Sequence, residues 1–242
     1  MKKIYFTITA LLVTLCLAGC SLPVNITPDQ PQPDEPSADY AALYDGTLRR
    51  VREVVIDGFD TTQNTDGCTG IQEITTSLEP DEALNSIGYS IQDLSGDGVP
   101  ELIIASIEDN GDLIRYGSQL LSVYTLAGDV PVLTLEGWAR NRYSLLENGD
   151  IFHSGSGGAM YTAFGTYRLS HDGTALDCRE FYFTDETFEG SGEVSLYYST
   201  TDEWNTDTAE ELHITSDEFF AIRDDMELNV QYIDLIPFSE FR

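Results

Sequence analysis

Apolar residues first fall at helical spacing at Tyr40, Leu43, Tyr44, Leu48, Val51 and Val55. A stripe with that period predicts an amphipathic helix, with Ser37 or Asp39 as its N-cap. Arg49, Arg50 and Arg52 gather late in the segment, toward the carbonyl end that the macrodipole makes favourable for cations. Residues 57–70 are rich in Asp, Thr, Asn and Gly and read as a long surface loop. Pro80-Asp81-Glu82-Ala83-Leu84 then predicts a short helix stopped by Gly88.

From Tyr89 the period changes to that of strands. Tyr89 to Ile91, Leu102 to Ile107, Leu120 to Leu126, Pro131 to Trp138, Tyr143 to Leu146, Met160 to Leu169 and Cys178 to Phe183 read as short strands. Turn signals separate several of them: Asp109-Asn110-Gly111-Asp112, Ala127-Gly128-Asp129, Glu147-Asn148-Gly149-Asp150 and His171-Asp172-Gly173. A Tyr-x-Leu element recurs at Tyr124, Tyr143 and Tyr167 at unequal spacing, which describes successive hairpins and not a strict repeat. Thr215-Ser216-Asp217-Glu218 has the pattern of a capping box, followed by Phe219, Ile222 and Met226 on one helical face. The expected fold is α+β, mainly antiparallel β in a hairpin meander, with a helix near each end and no strand order assignable.

Composition narrows the partners. The 242 residues carry 12 Lys and Arg against 42 Asp and Glu, a net charge of −30, and both lysines are within the first three positions. A chain without further lysine offers no Schiff-base amine and no phosphate-loop lysine, and its charge repels nucleic acid. The natural small partners are cations. Charge of this size accompanies disorder in many chains, but 41% apolar residues with 13 Tyr and 11 Phe are those of a packed body with an acidic surface.

Ahead of that body, Met1-Lys2-Lys3 supplies a positive start and Ile4 to Leu15 an apolar stretch too short for a comfortable membrane span, the pattern of an export signal. The stretch ends in Leu17-Ala18-Gly19-Cys20. These residues resemble the lipobox of bacterial lipoproteins, and the resemblance implies cleavage after Gly19 and diacylglycerol on Cys20. A plain secretory signal is the alternative. Two acyl chains hold a protein firmly where one gives only marginal binding. Pro23, Pro28, Pro31, Pro33 and Pro36 then make residues 20–37 an extended tether of about 3 Å per residue. The expected organisation is a signal peptide over 1–19, a tether over 20–37 and a single domain over 38–242, anchored in a bacterial cell membrane and facing its extracytoplasmic side.

One segment has specific chemistry. Asp93-Leu94-Ser95-Gly96-Asp97-Gly98-Val99-Pro100-Glu101 carries oxygen side chains at its first, third, fifth and ninth positions, with glycine at the sixth. Calcium takes six to eight hard oxygen ligands, and this spacing can wrap Asp93, Ser95 and Asp97 about one point, with the Val99 carbonyl turned inward and Glu101 closing the site. An EF-hand is disfavoured, because its twelfth position would be Ile104 and both flanks read as strands. The segment is similar to the calcium loops of FG-GAP and related β-propeller-type repeats, over residues 89–108 and in a single copy. With the lipobox and tether it also resembles uncharacterised lipoproteins of Gram-positive bacteria. The resemblance implies a structural Ca2+. A metal-free acidic hairpin is the alternative, and Asp109, Asn110 and Asp112 are a second, weaker candidate site.

Other constellations are less specific. Cys68 and Cys178 remain once Cys16 leaves with the leader and Cys20 is lipidated, and they read equally as a disulfide or as two free thiols. His153-Ser154-Gly155-Ser156-Gly157-Gly158 invites a nucleophile reading, yet neighbours on a strand point to opposite faces, and a flexible hairpin loop is the simpler reading. Trp138, Tyr143, Tyr161, Tyr167, Tyr197, Tyr198 and Trp204 could supply a sugar-stacking face, although strand aromatics more often fill a core. The composite expectation is a lipid-anchored module held partly by calcium, with no catalytic residue assigned, that binds a cell-wall or host glycan or another envelope protein. A surface hydrolase acting on glycan or peptide and a structural accessory lipoprotein are the alternatives.

Overall fold

The computed structural model describes residues 39–58, 66–108 and 116–242. The expected signal peptide, Cys20, the expected tether and the candidate site at Asp109, Asn110 and Asp112 lie outside the described residues. Residues 39–242 belong to one compact unit. In chain order it contains α1 (Tyr40–Asp57), α2 (Thr69–Thr75), α3 (Pro80–Ser86), β1 (Ile87–Gln92), β2 (Glu101–Ser106), β3 (Tyr116–Gly117), β4 (Gln119–Ala127), β5 (Val130–Glu136) and β6 (Asn141–Leu145). There follow β7 (Ile151–Gly158), β8 (Tyr161–Leu169), β9 (Leu176–Glu186), β10 (Val194–Ser199), β11 (Glu210–Leu212), α4 (Ser216–Glu227), β12 (Ile233–Asp234) and β13 (Ile236–Pro237). The class is the expected one, mainly antiparallel β with a helix toward each end.

Asp39 caps α1, its side chain accepting from the Ala42 N–H at 3.2 Å. The buried stripe of that helix is Tyr44, Leu48, Val51, Val54 and Val55. Its last turn holds no basic residue, so the arginine cluster does not complement the dipole there. Arg49 pairs with Asp45 one turn back, and Arg50 reaches the Asp66 carbonyl and the Tyr124 hydroxyl. Two further expectations are corrected. The end of the polar segment is helical, since α2 starts at Thr69, and Gly88 does not stop α3 but lies inside β1, opposite Ala105 and Pro237.

The main sheet runs β11-β10-β9-β8-β7-β6-β4-β2-β1-β13, with every pairing antiparallel. β5 and β6 both pair with β4: β5 occupies its length from Ser122 to Ala127 and β6 its start at Gln119 and Leu120. Alternation assigns each strand's residues to two faces. One face carries the helices. Leu102, Ile104, Leu121 and Tyr124 pack there against α1–α3, while Phe152, Phe164 and Leu196 pack against Phe219 of α4. The opposite face carries Ile103, Ala105, Leu120, Val123, Leu145, Ile151 and Tyr167, and further along the sheet Ala163, Phe181 and Phe183. Among the described residues no helix is long and apolar enough to cross a membrane.

Candidate metal centre

Residues 93–100 connect β1 to β2, and the Gln92–Glu101 pair closes the hairpin beneath them. Gly96 and Gly98 hold φ of 81° and 90°, where a side chain is strained even though nothing stands within 4 Å of a Cβ at either position. Their glycines are therefore required by the backbone and not by space. The bend lets the carboxylates cap the loop's own amides. Asp93 Oδ1 accepts from Gly96 N–H at 2.6 Å and Oδ2 from Gly98 N–H at 3.0 Å, while Asp97 Oδ1 accepts from Val99 N–H at 2.7 Å. The Ser95 hydroxyl lies 3.4 Å from Asp93 Oδ1. The Val99 side chain packs on the helix-side core.

Glu101 differs from the other acids because it is 0% exposed. Its Oε2 accepts from Leu94 N–H at 2.7 Å and Ser95 N–H at 3.2 Å, whereas Oε1 meets the Thr125 hydroxyl at a long 3.4 Å. Burial pushes its carboxyl above the ordinary range, and the two N–H groups draw it back, with Asp93 adding a smaller upward push. Gly173, in the β8–β9 turn, closes over this carboxylate: a Cβ there would lie 2.5 Å from both Glu101 Oε1 and Thr125 Oγ1. On the other side stands Tyr44 of α1. Its hydroxyl lies 2.9 Å from the Pro100 carbonyl and 3.1 Å from the Tyr124 carbonyl, and burial, then Glu101, raises its pKa.

Asp93, Ser95, Asp97, Val99 and Glu101 are thus brought into one loop. Among the described residues, however, no three His, Cys, Asp or Glu side chains converge as a ready metal cage. The acids face backbone donors of the loop, each retaining lone pairs beyond the N–H groups it accepts. Tyr44, Thr125 and Gly173 had no signal in the sequence, because they reach the loop from distant elements and carry no motif.

The remaining candidates are dispersed. Cys68 is buried in the helix-side core with Arg50 Nη1 3.5 Å from its sulfur, Cys178 lies on β9, and both are free thiols, so the bridge between them is not formed. The segment from His153 to Gly158 is not a flexible loop but most of β7. His153 is 8% exposed, lies between the rings of Tyr143 and Tyr167 at 4.9 and 5.9 Å, and meets Asn141 Oδ1 through Nε2 at 2.7 Å. Ser154 lines a cavity on the opposite face, and Ser156 bonds to the Gly158 carbonyl. Trp204 packs on Phe183, Phe181 and Tyr161, with its Nε1 donating to Asp185. Trp138 lies in a tight turn bridged to Asn141. No protein-family model matches the chain, and neither a curated protein nor a solved structure is significantly similar to it.

Proposed function

We propose that this chain is a lipid-anchored extracytoplasmic binding module whose β1–β2 loop takes a structural calcium ion. The observation that supports the ion is Glu101, a buried carboxylate with one weakly engaged oxygen, at the base of a loop bent by two left-handed glycines and bearing two further carboxylates. Asp93, Ser95, Asp97, the Val99 carbonyl and Glu101 would hold it. Gathering them onto one ion takes side-chain rearrangement within the loop, which the unobstructed space around Gly96 and Gly98 permits. Support for the anchor rests on Leu17-Ala18-Gly19-Cys20 alone.

Extracellular calcium modules bind with dissociation constants of roughly 0.1 to 1 mM, so calcium at about 1 mM would add on the order of 0.5 to 1.5 kcal/mol. In a body of this size that raises Tm by roughly 1 to 6 °C. Melting of the purified protein in calcium, in magnesium and in chelator tests the ion. A curve identical in all three removes it. The hydrolase alternative lacks comparable support, since His153 is oriented by an amide and faces away from Ser154.

A further inference from the structure

The helix-bearing face of the sheet is covered in two places, by α1–α3 over β2 and β4 and by α4 over β7 and β8. Between them, among the described residues, it is uncovered. The row that supplies Leu102 and Ile104 on β2 continues to Ser106. On β4 the residue two before Leu121 is Gln119, and β6 and β7 place Ser144 and Ser154 on the same face. Gln119 pairs across to Ser144, Ser144 to Phe152, and Arg142 to Ser154, so these side chains form two adjoining cross-strand rows. They floor a cavity of about 500 Å³, within the range of small-molecule sites.

The walls are fixed. Glu108 is pinned by the Ser118 backbone N–H at 3.2 Å and by the Ser118 hydroxyl. Opposite it, the chain leaving α4 is tied to β6 by Gln231 N–H donating to the Leu145 carbonyl at 2.7 Å and by the Leu146–Val230 bridge. A floor on a sheet and two tied walls need little reordering when something binds. By contrast, Ser106, Gln119, Arg142, Ser144 and Ser154 make no side-chain hydrogen bond within the described residues, so their donors and acceptors remain available to a ligand.

The lining selects a chemical class. Phe152 and Val230 are its aliphatic or phenyl members, and Phe152 is only 4% exposed, which offers little to a lipid or an apolar peptide. One guanidinium, Arg142, faces two carboxylates, Glu108 and Glu227, in a chain of net charge −30, which disfavours phosphates and polyanions. Hydroxyls, an amide, a guanidinium and carboxylates together both donate and accept, as vicinal hydroxyl groups require. Tyr232, 54% exposed, stands at the rim.

We propose that this trough is the binding site of a neutral saccharide, an inference that rests on reading the chain as a binding module and gives that module a ligand class. The test is isothermal titration of the full chain, in a sugar-free detergent, with maltotriose, mannotriose and chitotriose, and with trigalacturonate and glutamine as anionic and zwitterionic arms. At least one neutral trisaccharide binds, and Arg142→Gln and Ser144→Val each weaken it tenfold or more at unchanged or higher Tm. Binding by none of the neutral sugars, tighter binding of trigalacturonate or glutamine, or full affinity in a folded Arg142→Gln protein overturns the assignment. The calcium-dependent melting shift, recorded on the same samples, separates the two failures: it persists if only the saccharide site is wrong and is absent if the calcium loop is wrong.

Discussion

A carboxylate without solvent exposure resists ionisation until something replaces its lost hydration, and at Glu101 two backbone N–H groups do so only in part. Its raised pKa means that it favours the fold below its ordinary value of 4.5, and that this contribution is lost as pH rises through the folded value. Glu101→Gln keeps an acceptor for Leu94 and Ser95 but removes the charge. Without metal its Tm is therefore expected to equal or exceed that of the parent near pH 7, while the calcium shift disappears; a parent-like shift would remove Glu101 from the ligand set. His153 has the opposite sign. Burial lowers its pKa from 6.5 to about 4, so the unfolded chain takes up a proton that the fold refuses. Stability is complete above about pH 6.5 and is lost as pH falls toward 4, by on the order of 2 kcal/mol between pH 7 and pH 5. Urea denaturation of the parent and of His153→Gln at the two pH values measures the difference, and parallel losses would show that the imidazole is not responsible.

Elements were legible where a local pattern sufficed. α4 has the capping box expected from Thr215 and Glu218: the threonine hydroxyl accepts from Glu218 N–H at 3.2 Å, and the glutamate accepts from Thr215 N–H at 2.8 Å. Thr215→Ala should cost about 1 kcal/mol and lower Tm by roughly 2 to 4 °C, read by thermal melting, with no effect on the calcium shift. β7 was illegible for a physical reason. Gly155, Gly157 and Gly158 signal a loop, but Gly155 serves a close approach, since a Cβ there would lie 3.0 Å from both the Arg140 carbonyl and His153 Nε2. α2 was hidden in a polar stretch, as a seven-residue helix with no side-chain cap leaves no terminal signature. The nine positions from Asp93 to Glu101 announced their own turn, yet their surroundings did not, because Tyr44 comes from α1 and Gly173 from the distant β8–β9 turn.

At the scale of the molecule the class followed from periodicity, whereas the strand order did not. Neither the sharing of β4 between β5 and β6 nor the pairing of β13 with β1 has a local cause. The proposed anchor belongs to this scale as well: Cys20→Ser should move the protein from the membrane fraction to the soluble one without changing its melting, and retention in the membrane would point to another attachment. The closure of β1 by β13 carries a consequence for biogenesis. Phe238, fully buried beside α1, has its N–H bonded to the Ile87 carbonyl, and Ser239 bonds back to Leu84. The helix-side core therefore stays incomplete until residues 236–239 have returned to β1 and α3. Contacts of such long sequence separation form slowly, so the body closes around α1 only after an interval in which its apolar stripe lies open to solvent and to other chains.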